Sequence, residues 1–190
     1  MKQTYFSLLH RFLHWMIALG ILLALFTAFL HATWMNGNEV ATVIISSLAE
    51  KGITLPYDEA RVIARKIATP MFQWHFYAGY VLVALLVLRC IDLFANGLKF
   101  TSPFASEATL EQKFRGGLYL LFYIALALIL TMGLLIKFGP KTDLREIFKI
   151  VHIYCGYFAG MFVFTHFAGL LIGENTTDKG IVSKMINGGE

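Results

Sequence analysis

The sequence predicts an all-α integral membrane protein, a four-transmembrane-helix bundle of up-and-down topology with a long structured loop between helices 1 and 2. Three observations predict it. Hydrophobic residues make up 57% of the 190-residue chain and charged residues only 15%, a balance outside the range of water-soluble domains. Four apolar runs are each long enough to cross a bilayer, which takes about 20 residues. Histidines stand near the ends of three of those runs, where an imidazole in hydrocarbon has to be satisfied by a partner or a ligand. The whole chain, residues 1–190, reads as one membrane domain. Its net charge of +4 comes from juxtamembrane Lys and Arg and forms no basic stripe, so nothing points to nucleic acid.

Helix 1 is expected over about 8–34, with Trp15 and Trp34 as interfacial anchors at its ends. It is too long for a signal-peptide core and no A-x-A site follows it, so it reads as a retained span. Residues 36–72 are more polar and hold two short amphipathic patterns. The first starts near Asn38, a suitable N-cap. The second, DEARVIARKIA, follows Pro56 and should end before Pro70, with Val62, Ile63 and Ile67 on one face. A connection this long reads as a structured cap on the membrane surface. Helix 2 is expected over about 72–94, then a polar loop at 95–115, then helix 3 over about 115–137 without histidine or central charge. Asp143 reads as an N-cap with Glu146 three residues on, opening helix 4 over about 144–173. The tail is polar with a short amphipathic piece. Lys and Arg divide eight and eight between the two sides of this topology, so the positive-inside rule does not orient it.

The chemistry is in the histidines at 10, 14, 31, 75, 152 and 166. His152 and His166 are 14 residues apart on helix 4. At about 100° and 1.5 Å per residue they leave one helix face, roughly 21 Å apart along the axis. Up-and-down topology then sorts the others by depth. His14 falls with His166 on the side of the termini, and His75 falls with His152 on the opposite side. Each pair can give two axial nitrogens to a flat metal macrocycle between helices, and histidine is a common axial ligand of haem iron. Gly79 and Gly156 each follow a histidine by four residues and would leave room for a porphyrin edge, although small residues also serve plain helix packing. Arg89, 14 residues after His75, faces the same way and could meet a propionate or snorkel to the headgroups. His10 is either a backup ligand or an interfacial residue, and His31 is expected at the interface.

Other uses of intramembrane histidine are interhelical hydrogen bonding, a proton path or a metal site. Zinc is disfavoured because the pairs are too far apart to share an ion and the spans are expected to hold no carboxylate. Covalent c-type haem is excluded because there is no C-x-x-C-H; Cys90 and Cys155 lie apart inside apolar runs, and no disulfide is implied.

These residues resemble the di-haem cytochrome b subunits of nickel-iron hydrogenases and respiratory formate dehydrogenases, related to the prokaryotic cytochrome b561 family. The resemblance lies in Arg11-x-x-His14-Trp15, His75-Phe-x-Ala-Gly79, Thr131-Met-Gly133, His152-x13-His166 and the tail from Gly180 to Gly188. It covers all four spans. It implies two b haems held by the metal-ligating pairs His75/His152 (periplasmic) and His14/His166 (cytoplasmic). It also implies a multi-pass protein of the bacterial inner membrane with cytoplasmic termini, so that residues 36–72 are a periplasmic loop. The protein would pass electrons between a periplasmic redox partner, such as a dehydrogenase or hydrogenase subunit, and the membrane quinone pool. It is then an electron-transfer subunit of a membrane oxidoreductase in the respiratory chain, and its composition fits a homodimer or a larger complex equally well. Two features depart from the family pattern. Ala28 stands where relatives often carry glycine, and Gln112-x-Phe114 stands where formate dehydrogenase relatives place an Asn-x-Gly near their quinone, which leaves Gln112 and Arg115 as candidates there. The rival readings are a stand-alone quinol-oxidising cytochrome acting on superoxide or a soluble cytochrome, and a non-redox membrane protein, which would be colourless when purified.

Overall fold

A computed structural model describes residues 7–96, 104, 108–176 and 179–188. Among the described residues there are six helices and no strand: α1 Leu8–Ala32, α2 Gly37–Ala49, α3 Tyr57–Asn96, α4 Leu110–Phe138, α5 Leu144–Asn175 and α6 Ile181–Asn187. Four of them, α1, α3, α4 and α5, are long and apolar enough to cross a membrane. The fold is the all-helical, four-span membrane architecture that the composition predicts. Residues 97–103 and 105–107 of the loop expected at 95–115, and Thr177, Asp178, Gly189 and Glu190 of the tail, lie outside the described residues.

The largest departure is at Pro70. The second amphipathic pattern and helix 2 are one helix, the 40-residue α3, with Pro70 inside it. A proline removes one backbone N–H and strains the turn before it. Here one face buries Ala60, Ala64, Ala68, Met71 and Ala78 on both sides of Pro70, and that continuous packing outweighs the local cost. At 1.5 Å per residue α3 is about 60 Å long, roughly twice the hydrocarbon thickness of a bilayer. The packed face of this extension is also not the expected one. Ala60 and Ala64 pack with Ala41 of α2, all at most 1% exposed, while Val62, Ile63 and Ile67 face outwards. Alanine lets two helix backbones approach more closely than branched side chains would, so the small residues win the interface.

The helix ends also differ from expectation. Asn36, not Asn38, caps α2; its side chain accepts from the Asn38 amide. Thr109 and Gln112 form a reciprocal capping box that starts α4 at Leu110, five residues before the expected start at 115. Asp143 stands at the α5 N-cap with helical backbone angles and makes no capping bond, and Glu146 instead pairs with Lys149 at 2.6 Å.

The chain forms two compact units, one Ala18–Leu82 and the other the remaining described residues, so α1 and α3 contribute to both. In the unit Ala18–Leu82, Gly20 lies against Leu82, Thr27 against His75 and His31 against Phe72, an antiparallel register of α1 on α3. A Cβ on Gly20 would fall 2.8 Å from Leu82 Cδ2, so a larger residue there would force the Leu82 side chain to shift. In the other unit α4 and α5 are antiparallel, with Gly133 against His152 and Phe122 stacked on Phe162 at 4.0 Å between ring centres.

The tail is fastened in that second unit. The Glu174 carboxylate accepts from the Gly180 and Val182 amides at the start of α6, at 2.8 and 3.3 Å. At its other end Arg11 Nη1 donates to the Ile186 carbonyl at 2.6 Å, and Trp15 Nε1 donates to the Met185 carbonyl at 3.3 Å. Anion at the N-terminus and cation at the C-terminus suit the α6 dipole. Gly188, at φ +93°, turns the chain beside the Arg11 guanidinium, where a Cβ would lie 3.1 Å from Cζ. These contacts join the Arg11-x-x-His14-Trp15 stretch to the tail. A charge-assisted hydrogen bond contributes about 1.5–3 kcal/mol. Arg11→Ala is therefore expected to speed tryptic cleavage at Lys179 and Lys184 about tenfold or more, and limited proteolysis in detergent measures it.

Candidate functional site

His14 and His166, which the sequence places at one depth, meet in the structure. Their ring centres are 6.2 Å apart with 55° between planes. His14 stands edge-on to Trp15, whose indole is held by the tail. His166 lies nearly parallel to Phe162, at 8°, and Phe162 is stacked on Phe122, so an aromatic column from α4 sets the orientation of this imidazole. Neither ring makes a hydrogen bond to a described residue. Two imidazoles that share one metal ion each need a bond of about 2 Å to it, and a separation of 6.2 Å between ring centres is on that scale.

His152 and His75 belong to different units and are each held by a local acceptor. The His152 ring lies under Gly133, where a Cβ would be 3.1 Å from Cε1; this is why glycine belongs in the Thr131-Met-Gly133 motif. Its Nδ1 is 2.8 Å from the Ile129 carbonyl oxygen. A carbonyl only accepts, so Nδ1 carries the proton and the lone pair is on Nε2. His75 Nδ1 is 2.9 Å from the Thr27 hydroxyl. An imidazole whose Nδ1–H is donated to an outer acceptor presents Nε2 as a metal donor, the usual state of a metal-ligating histidine. Gly79 has nothing within 4 Å of an added Cβ, so the space beside it is open, whereas Gly156 is closed by Ile129 Cδ1 at 3.6 Å. The donor chemistry of His75 and of His152, each taken by itself, fits an axial ligand of haem iron.

Arg89 does not snorkel. It is buried, and it pairs with buried Asp92 at 3.2 Å. Its Nη1 also donates to His10 Nδ1 at 2.9 Å, and its Nε donates to the Tyr123 hydroxyl at 3.3 Å. Two expectations change as a result. The spans do hold a carboxylate, Asp92, which was legible from its place three residues after Arg89, a helical ion-pair spacing. His10 is not interfacial: it is 6% exposed, its Nδ1 accepts from Arg89, and its proton is therefore on Nε2. In that state it has no lone pair to offer a metal. His31 is exposed, with its ring on Phe72 at 4.9 Å.

Beside His166 is a cavity of about 190 Å³ lined by Arg115, Tyr119, Phe162, Thr165 and Gly169, with Ile181 of α6 at its edge. Gln112 does not line it, because its side-chain carbonyl accepts from the Thr109 amide. In the unit Ala18–Leu82 a second, apolar cavity of about 330 Å³ is bordered by Leu23, Phe26, Thr27, Leu30, Met71 and Trp74.

A family model described as prokaryotic cytochrome b561 matches residues 5–188. No curated protein and no solved structure matches the chain.

Proposed function

Since the chain belongs to the prokaryotic cytochrome b561 family, a multi-pass membrane protein that binds haem b and transfers electrons, we propose that it carries two b haems, held by His75/His152 and His14/His166. The observation that carries this reading is the approach of the His14 and His166 rings to 6.2 Å from two different spans. The bound haems supply the one-electron redox chemistry. The chain's own work is placement. Fourteen residues of α5 separate His152 from His166 by roughly 21 Å, a spacing that suits transfer between two centres within one helix bundle. Phe162 keeps the His166 plane fixed, and Gly133 makes room for His152.

The chain exchanges electrons between a redox protein on the side of residues 36–72 and the quinone pool, in the bacterial inner membrane with both termini cytoplasmic. What supports the quinone is the cavity beside His166, where Arg115 and Tyr119 carry donors suited to a carbonyl headgroup and Phe162 supplies an apolar wall. The test is a dithionite-reduced minus oxidised spectrum of the purified protein, with haem counted as pyridine haemochrome. Two b haems per chain are expected. One haem would overturn one of the pairs, and a colourless protein would overturn the electron-transfer reading.

A further inference from the structure

We propose that Thr27 is the positioning residue of the His75 site and that it lowers the midpoint potential of the haem held there. This rests on the reading of His75 and His152 as haem ligands. The argument starts from a proton count. Thr27 Oγ1 is 2.8 Å from the Ala24 carbonyl and 3.0 Å from the Leu23 carbonyl, on its own helix. Two oxygens at that separation need a proton between them, and neither carbonyl has one. The single hydroxyl proton therefore points at the α1 backbone. The same oxygen is 2.9 Å from His75 Nδ1, and with its proton already used it can only accept. Nδ1 carries hydrogen and Nε2 carries the lone pair.

Thr33, Thr69, Thr131 and Thr165 also bond back to their own helices, which is a common and purely local use of threonine. Thr27 adds an imidazole from a different span, and it is only 4% exposed, so no water competes for the bond. It does for His75 what the Ile129 carbonyl does for His152. Each acceptor locks one tautomer, fixes the ring plane and increases the electron donation of Nε2. Stronger donation favours the oxidised iron, so the Thr27 bond lowers the midpoint potential of the haem that His75 holds.

The experiment is a spectroelectrochemical titration of the holoprotein carrying Thr27→Val and Thr27→Ser. Valine matches threonine in shape and has no acceptor; serine keeps the hydroxyl. In Thr27→Val the midpoint potential of the haem that is lost in His75→Ala should rise while the other stays, with a change in the low-spin EPR signal of that haem alone. Thr27→Ser should stay close to the unsubstituted protein. The proposal is overturned if Thr27→Val leaves both potentials and EPR signals in place, if the haem that moves is not the one lost in His75→Ala, or if Thr27→Ser behaves as Thr27→Val does, since that would reduce Thr27 to packing. The ligand reading fails separately, if His75→Ala retains both haems.

Discussion

Replacing His152 with alanine is expected to lower the haem content from two per chain to one, and the haem that remains should be the one at His14/His166. The reason is local. His152 is oriented by the Ile129 carbonyl and by the space over Gly133, neither of which touches the other pair. His14→Ala should give the complementary loss. His10, one turn away, should not rescue it, because its Nδ1 accepts from Arg89 and its other ring nitrogen holds the proton. Pyridine haemochrome counts and the split of the reduced α-band measure both variants. Loss of both haems from either single variant would show that the sites are not independent.

Asp92→Ala is expected to destabilise the protein by about 3–5 kcal/mol. Arg89 and Asp92 have side-chain exposures of 8% and 2%, so removing the carboxylate leaves a cation without its counter-ion in a nearly dry place. The loss is not the worth of the pair itself. Taking both charges out of water offsets most of their attraction, so replacing the two together by apolar residues of similar volume, as in R89M/D92L, should recover most of the stability. Thermal unfolding in detergent, followed by tryptophan fluorescence, tests this. A double variant as unstable as Asp92→Ala would mean that the bonds from Arg89 to His10 and Tyr123 matter more than charge balance.

The span count and the common depth of His14 and His166 were legible because both depend on quantities that a linear sequence carries: the length of an apolar run and the position of an imidazole along it. Helix ends were less legible. Thr109 and Gln112 are a capping pair readable from their spacing, yet it is the packing of α4 that makes those turns worth forming. Pro70 reads as a stop because the local cost of proline is known from the sequence, whereas the benefit of carrying the alanine face through it depends on a partner helix. Val62, Ile63 and Ile67 read as a buried face by hydropathy alone; the interface went to Ala60 and Ala64 because close approach rewards small side chains.

By itself, then, the sequence determined four apolar spans with histidines near the ends of three of them, since hydrophobic length and helical pitch act on consecutive residues. Only the tertiary structure decided what each histidine is bonded to. Thr27 and His75 are 48 residues apart, His152 and Ile129 are 23 apart, and His10 and Arg89 are 79 apart. A tautomer is set by whichever donor or acceptor the fold brings to within about 3 Å, and no periodicity along the chain encodes that.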